Sequence, residues 1–485
     1  MSLSQSTHAS ATMGETPRGR KLLLDAVGLA SSRIIQIGSQ ALYLLIAARL
    51  LGPEIYGQLN YAQSWYLIFF QFALLGLQSI VLREVGRRGT EARDLVSAST
   101  TAILLASMLL SVAAAAITLW VEPDPVVRLT TQVFSFAVLC RGLSVWVELL
   151  LLAHEKGRRI FLITVLVRPF EPIVAVVLLL MGQGIVALAL LHVASWGIQA
   201  LVGLWFLSRS IEIPRPSWPP ALLGSLLSAG LPLAIGGAAM GFLLFGPVVV
   251  HRWLDGTALG ELAILLQVVG LLSVAPLSLM QTLLPALSRR MEKDEKRALT
   301  DLTTILSLSL IAGALCASLA NEAIVGPIVR LVLGEAYGAV AGTLWLSLLL
   351  VGLYGAGLAI NQGLILRKRH ACLLVATTSG MLVFLALRIG LQPTSSGLSG
   401  LTLPLSPEGT LACAAAGYVT WLVMAAWLSG LLAPLLRALL IAAAAIASAL
   451  LLEGLLGAAV ATFLALGAAW HEKLIHRVLE AYGAR

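Results

Sequence analysis

Long apolar runs separated by short polar segments follow one another along almost the whole chain. The hydrocarbon core of a bilayer is about 30 Å thick, so a helix that crosses it needs about 20 apolar residues. Runs of this size predict fourteen spans, near residues 24–49, 60–82, 95–120, 127–153, 160–181, 184–207, 221–250, 260–287, 299–321, 339–366, 371–390, 408–430, 433–452 and 454–470. The pattern therefore predicts an all-α polytopic membrane protein with about 14 transmembrane helices.

The composition supports this class of protein. Of the 485 residues, 59% are hydrophobic and 12% are charged, whereas soluble domains carry about 25% charged residues. So few charged side chains leave too little polar surface to cover a water-soluble protein of this length. The net charge of +8 lies in short clusters between apolar runs and not in the continuous basic patch that binds nucleic acid.

The placement of lysine and arginine predicts the orientation of the chain. If the N-terminus is cytoplasmic and the spans alternate, 24 of the 32 basic residues lie on the cytoplasmic side and 5 on the other side. The remaining three, Arg33, Arg141 and Arg168, lie inside spans. Because basic residues are enriched in cytoplasmic loops, we expect both termini to be cytoplasmic.

The polar ends and the cysteines add no further domain to this prediction. Residues 1–21 are expected to be disordered and residues 471–485 to form a cytoplasmic tail. Four cysteines lie far apart in apolar runs, at Cys140, Cys316, Cys372 and Cys413. Their spacing favours buried small side chains over disulfides or metal ligands. We expect neither a metal nor a cofactor.

An internal repeat relates the two halves of the chain. RLLGPEIYGQL at residues 49–59 resembles RWLDGTALGEL at residues 252–262, with arginine first and glycine ninth in both segments. Six spans separate the two copies, so both copies have the same orientation. The repeat indicates two parallel six-helix lobes related by an axis along the membrane normal. A chance likeness between two loops is the alternative.

Several segments occur in the order typical of one transporter family. ARLLGPEIYGQLNYAQSW and GLQSIVLREVGRR resemble the opening of polysaccharide and O-antigen flippases, which belong to the multidrug/oligosaccharidyl-lipid/polysaccharide (MOP) exporter superfamily. LGELAILLQVVGLLSVAPLSLMQTLLPALSRR is similar to the family's hairpin of spans 7 and 8, with its turn at Pro285, Ser288 and Arg289. LVLGEAYGAVAGTLWLSLLL and the later Arg367-Lys368-Arg369 resemble spans 9 to 11.

This resemblance implies a bacterial inner-membrane flippase and not an enzyme. The cargo it implies is a polyprenyl-pyrophosphate-linked oligosaccharide, moved to the outer leaflet by alternating access, with a polysaccharide polymerase and an initiating glycosyltransferase as possible partners. The expected units are an N-terminal segment, a first lobe, a linker, a second lobe, two extra helices and a tail, at residues 1–21, 22–208, 209–220, 221–431, 432–470 and 471–485.

Charges inside the predicted spans are the first candidates for function. An arginine at a helix centre costs about 2.5–3.5 kcal/mol, so it faces the bundle interior or a cavity. Guanidinium groups bind phosphate oxygens and stay charged when buried, so we expect Arg33, Arg141 and Arg168 to attract the pyrophosphate. The alternative is that Arg168–Glu171, three residues apart, and Arg141–Glu148, seven apart, are structural ion pairs.

Neutral polar residues complete the candidate site. Four amides are expected to contact the sugars, at Gln36, Gln267, Asn361 and Gln362. Glu148, Glu171 and His192 are candidates for proton coupling, because histidine titrates near neutral pH. For His192 the alternative is a hydrogen-bonded core residue. The sugar, the lipid carrier, the coupling ion and the oligomeric state do not follow from the sequence.

Two other functions compete with the flippase hypothesis. A membrane-embedded glycan polymerase or acyltransferase needs a polar reaction centre and a sizeable outer loop, and the sequence shows neither a nucleophile motif nor a long loop. A small-molecule exporter of the same superfamily that carries cations would favour an acidic cavity, whereas the deep charges here are three arginines against two glutamates.

Overall fold

The computed structural model describes residues 17–88, 92–154, 156–209, 217–252, 256–390 and 406–451. Over these ranges the chain is helical and contains no β-strand. Eleven helical segments among the described residues are long and apolar enough to cross a membrane. The predicted fold class, an all-α polytopic membrane protein, is therefore confirmed. The predicted last span at 454–470 and the tail at 471–485 lie outside the described residues.

Eight helices form the first half of the described chain: α1 (Pro17–Ala73), α2 (Gln78–Arg88), α3 (Arg93–Val121), α4 (Pro125–Ser135), α5 (Ala137–Ala153), α6 (Gly157–Val167), α7 (Phe170–Leu180) and α8 (Ile185–Ser208). Helix α1 consists of two helices joined at a kink at Gly52, which has non-helical backbone angles. The first predicted span lies before this kink, and the second begins after it and extends beyond Ala73. Gly52 has φ 73°, a conformation that favours glycine. The following Pro53 removes a backbone donor there.

Nine helices follow in the second half: α9 (Pro220–Val250), α10 (Gly256–Leu272), α11 (Val274–Lys293), α12 (Glu295–Leu319), α13 (Glu322–Leu333), α14 (Val340–Leu366), α15 (His370–Gly390), α16 (Pro407–Ser429) and α17 (Leu432–Leu451). Helix α12 packs on both α14 and α17, and α15 packs on α16 and α9. Large side chains such as Trp421, Tyr418 and Phe384 are fully buried at these contacts.

Several spans are interrupted near the middle of the predicted bilayer. The span at 157–180 breaks at Arg168 and Pro169, between α6 and α7. Proline has no N–H to continue the helical hydrogen-bond ladder, and Pro169 and Pro172 lie on either side of Glu171. The break therefore places a charged pair at a point where prolines interrupt the backbone hydrogen bonds of the span.

The two copies of the internal repeat lie against each other. A Cβ atom on Gly57 of α1 would meet the backbone nitrogen of Gly260 at 2.7 Å. A Cβ on Gly260 of α10 would meet the oxygen of Pro53 at 1.9 Å. Only glycine allows two backbones to approach this closely. We call this end of the protein, which carries Gly52 and Arg252, the repeat face. We call the opposite end, which carries Arg290 and Asp301, the basic face.

Candidate functional site

Arg168 and Glu171 form a buried ion pair at the break between α6 and α7. Their side chains are 3.1 Å apart, from Nη1 to Oε2, and both residues are buried. Glu171 also accepts hydrogen bonds from Nδ1 of His192, at 2.6 Å, and from the hydroxyl of Ser195, at 2.9 Å. Three donors from two spans therefore hold this carboxylate, and the predicted Arg168–Glu171 pairing is confirmed.

His192 links this carboxylate to a second arginine. Its Nε2 atom lies 2.8 Å from the hydroxyl of Tyr66 and 3.1 Å from Nε1 of Trp196. An indole N–H can only donate, so Nε2 of His192 accepts and Nδ1 carries the proton that is donated to Glu171. Arg141 in turn donates to the Tyr66 hydroxyl at 3.0 Å. The hydrogen bonds thus connect Glu171 to Arg141 through His192 and Tyr66.

Aromatic rings surround both guanidinium groups. The guanidinium carbon of Arg168 lies 3.5 Å from the centroid of the Trp196 ring, and that of Arg141 lies 4.7 Å from it. Arg141 also lies 4.6 Å from the ring centroid of Phe70. A cation over an indole ring is attracted by the ring quadrupole, by about 2 kcal/mol where water is excluded. The Trp196 ring therefore contacts both guanidinium groups and stabilises two like charges that lie close together.

Arg141 retains most of its donors. It is half-buried, its Nη1 atom binds Tyr66, and its Nε atom is buried without a hydrogen-bond partner. In the part of the chain that the structure describes, no carboxylate forms an ion pair with it. Arg168 likewise has Nε and Nη2 buried without partners. The cluster can therefore donate several hydrogen bonds to an anionic ligand.

Glu148 binds a neutral partner and not an arginine. Its Oε1 atom accepts a hydrogen bond from Gln199 of α8. The alternative prediction of an Arg141–Glu148 ion pair is therefore wrong, because a glutamine on a facing helix approaches the carboxylate directly, whereas Arg141, two helical turns away, is held by Tyr66.

The other candidates lie elsewhere in the fold. Arg33 lies on α1, but its side chain is outside the described part of the structure, so its role stays a prediction. Gln36 is half-buried on the same helix. In the second half, Gln267 and Gln362 are half-buried. Asn361 is buried and accepts a hydrogen bond from Nε1 of Trp421 at 3.3 Å, so its carbonyl oxygen is engaged within the protein.

Sequence reasoning missed the residues that join the charges. Tyr66 and Trp196 bridge Arg141, Arg168 and His192, and neither was predicted. A signal was present in α8, where His192, Ser195, Trp196 and Gln199 follow one another at helical spacing. Residues at this spacing share one face of a helix. A polar stripe on an otherwise apolar span faces other helices and not lipid.

A separate apolar cavity of about 390 Å³ lies in the second half of the chain. Helices α11, α12 and α14 form its walls with side chains such as Leu279, Leu283 and Leu308. One end reaches Arg290 and Asp301, which form an ion pair at the basic face. The cavity and the arginine cluster are therefore built on different halves of the chain.

The fold is shared with solved transporter structures. Lipid II flippase MurJ in an inward closed conformation superimposes with a TM-score of 0.63 and 14% identity, over 93% of this chain and 100% of that chain. An inward-facing multidrug resistance MATE family transporter of the MOP superfamily gives 0.59 and 15%, over 84% of this chain and 98% of the other. The outward-facing conformation of such a transporter gives 0.58 and 17%, over 88% and 99%.

The sequence itself carries the family assignment. No curated protein matches the chain. A family model described as polysaccharide biosynthesis protein matches residues 22–291, which is more than half of the chain. This range includes most of α1, all of α2 to α10, the kink at Gly52 and every member of the Arg141–Arg168 cluster. The chain therefore belongs to the polysaccharide biosynthesis protein family, and its fold is that of the MOP superfamily.

Proposed function

We propose that the protein is a flippase for a polyprenyl-pyrophosphate-linked oligosaccharide, which it moves from the cytoplasmic to the outer leaflet by alternating access. Family membership supports a role in polysaccharide biosynthesis, and the fold is that of transporters. In this proposal the protein lies in the bacterial plasma membrane with both termini in the cytoplasm. An initiating glycosyltransferase begins the synthesis of the cargo, and a polysaccharide polymerase receives the cargo after translocation. The protein is not itself an enzyme.

The observation that carries this proposal is the state of Arg141. This half-buried guanidinium binds a tyrosine hydroxyl and two aromatic faces and has free donors, and no carboxylate among the described residues forms an ion pair with it. Guanidinium and phosphate oxygens form strong charge-assisted hydrogen bonds. We assign Arg141 to contact the pyrophosphate. We assign Arg168 to hold Trp196 in place and to add positive potential to the site. Arg33 is the third proposed contact.

Both lobes contribute the remaining contacts with the cargo in this proposal. Amides at Gln36, Gln267 and Gln362 contact the sugars, and Asn361 positions Trp421 beside them. The apolar cavity walled by α11, α12 and α14 offers a place for hydrocarbon, which suits the polyprenyl part of the cargo. One lobe therefore supplies charge, and the other supplies neutral and apolar walls.

Proton coupling is proposed for His192. Its Nε2 atom accepts from Tyr66 and Trp196, so protonation at Nε2 removes both of those hydrogen bonds. Tyr66 also binds Arg141 and Trp196 lies beneath both guanidiniums. A proton on His192 would therefore loosen the groups that hold the phosphate-binding arginines. Glu171 keeps the charged imidazole paired, and Glu148 is the second acid of the lobe.

Export in cells tests the proposal. In a strain that lacks its own flippase for a pyrophosphate-linked glycan, the wild-type protein should restore surface polysaccharide, and Arg141→Gln should leave the lipid-linked glycan on the inner leaflet. Arg128→Gln is the matched control, because Arg128 lies in the same half and donates to the backbone oxygen of Pro123. Normal export by a well-inserted Arg141→Gln protein would refute the assignment of Arg141.

Two other functions are outcomes of the same experiment. If the wild type does not restore export but lowers the accumulation of a small cationic dye, the protein is a small-molecule exporter. If the strain without the protein still carries lipid-linked glycan to the outer leaflet but leaves it unpolymerised, and the strain with the protein polymerises it, the protein is a membrane polymerase. The flippase proposal requires glycan trapped on the inner leaflet when the protein is absent.

A further inference from the structure

A second buried arginine lies at the repeat face, far from the Arg141 cluster along the chain. Arg388, in the last turn of α15, is 5% exposed, and His251, directly after α9, is completely buried. The Nη2 atom of Arg388 lies 3.4 Å from Nδ1 of His251. The hydroxyl of Thr410, in α16, lies 2.8 Å from the same nitrogen. Three helices of the second lobe therefore meet at this cluster.

The charge of Arg388 has no carboxylate partner in the described part of the chain. Among the described residues, no carboxylate forms an ion pair with Arg388. Its Nε atom is buried without a hydrogen-bond partner, and so is Nε2 of His251. An uncompensated buried charge is strongly destabilising, whereas a paired one is tolerated. Over the residues that the structure describes, the cluster therefore shows no anionic partner.

The beginning of α16 adds positive potential at the same place. Ser406 is the N-cap of this 23-residue helix and accepts from the backbone N–H of Gly409. Thr410 belongs to the first helical turns, and its hydroxyl lies beside His251. A helix N-terminus carries roughly half a positive charge, although the first turn of α16 also carries the exposed Glu408. The guanidinium and the imidazole therefore meet close to the beginning of α16 and are the main donors there.

The chemistry of these groups selects the ligand. Arg388 can only donate, so Nδ1 of His251 accepts from it and Nε2 of the neutral ring carries the proton. Nε of Arg388 and Nε2 of His251 are therefore both donors, and phosphate oxygens are acceptors for both. We propose that the junction of α9, α15 and α16 is a phosphate-binding site, built around Arg388 and His251 and separate from the transport site. The phosphate is either free or the headgroup of a lipid in the leaflet at the repeat face.

Thermal unfolding of the purified full-length protein tests this site. Inorganic phosphate added to the protein in neutral detergent is the first probe, and nanodiscs of phosphatidylglycerol against phosphatidylcholine are the second. A ligand that binds the folded state raises Tm in a saturable way. We expect at least one probe to raise the Tm of the wild type. A response to inorganic phosphate identifies a free-phosphate site, and a response to phosphatidylglycerol alone identifies a lipid headgroup site.

Variants tie the response to the cluster. Arg388→Gln should lose the shift in Tm while it keeps or gains stability without phosphate, since it removes an unpaired buried charge. Arg330→Gln is the matched control, because Arg330 is an exposed arginine of α13 at the same face. If Arg388→Gln does not insert, His251→Gln decides in the same way. No response of the wild type to either probe, or an unchanged response of Arg388→Gln, overturns the proposal.

Discussion

Arg252 and Glu122 form a bidentate ion pair that joins the two halves of the chain at the repeat face. Nε and Nη2 of Arg252 each lie 2.9 Å from a carboxylate oxygen, and the Glu122 side chain is fully buried. Arg49, the counterpart of Arg252 in the internal repeat, also crosses to the other lobe, where Nη1 donates to the oxygen of Leu331 at 3.0 Å. Both copies of the repeat thus hold this face closed.

Removing the charge of Glu122 should open the repeat face. Glu122→Gln loses a bidentate, charge-assisted contact worth about 2 kcal/mol, which shifts the population about thirtyfold toward states in which the lobes separate there. Distance measurements between spin labels at the repeat face should show a longer population. Glu335→Gln is the control, because Glu335 is exposed and its pairing with Arg330 at 3.7 Å contributes little. An unchanged distance distribution in Glu122→Gln would contradict the latch.

A methyl group at the contact between the repeats should have the same effect by sterics. Gly260→Ala places Cβ at 1.9 Å from the oxygen of Pro53, so the helices must move apart at a cost of about 1–3 kcal/mol. Gly270→Ala on the same helix has nothing within 4 Å of its Cβ and should be neutral or slightly stabilising. Thermal unfolding in detergent compares the two variants. Equal Tm values would show that the contact is not close.

The Arg168–Glu171 pair should contribute to stability more than Arg141 does. Glu171→Gln leaves Arg168 buried and unpaired, which costs about 3–5 kcal/mol. Arg141→Gln removes a half-buried cation that has no carboxylate partner, so stability should change by less than about 1 kcal/mol. A double Arg168→Met, Glu171→Met variant should recover part of the loss, because neighbouring charges couple. Equal losses for Glu171→Gln and Arg141→Gln would contradict this division of roles.

His251 should make the protein less stable in mild acid. Burial, and then the charge of Arg388, lower the pKa of His251 from its ordinary 6.5 to about 3. The unfolded chain therefore binds a proton that the folded protein does not, and stability is lost as pH falls below about 6.5 toward 3. At pH 5 the loss is about 2 kcal/mol. Tm at pH 7.5 and 5.0 should differ less in His251→Asn than in the wild type, and the same difference in both proteins would contradict the assignment.

The fold followed from the sequence because its signals are local. Twenty apolar residues suffice to predict a span, and the three-residue spacing of Arg168 and Glu171 sufficed to predict their ion pair. The first two predicted spans are separated by a kink at Gly52, inside a segment that the sequence predicts as a loop. Segment composition gives no information on the geometry of such a kink.

The site was predicted less completely because its contacts cross between helices. Arg141 and Glu148 share a helix face, yet Tyr66 and Gln199 from other spans take their hydrogen bonds. From the sequence, Arg388 is expected at the surface, because it lies near the end of a predicted span. In the structure, α9 and α16 bury it. Which side chains meet depends on how the helices are packed, and periodicity along one helix does not determine that.

Transport by purified protein in liposomes tests the central claim most directly. Wild-type protein, Arg141→Gln and Arg128→Gln are reconstituted with a pyrophosphate-linked oligosaccharide, and its appearance in the opposite leaflet is measured with a lectin or a glycosidase. The account predicts that the wild type and Arg128→Gln translocate the glycan, while Arg141→Gln, with an unchanged Tm, is reduced at least about tenfold, as expected for the loss of one strong phosphate contact. Translocation by Arg141→Gln at the wild-type rate would contradict it.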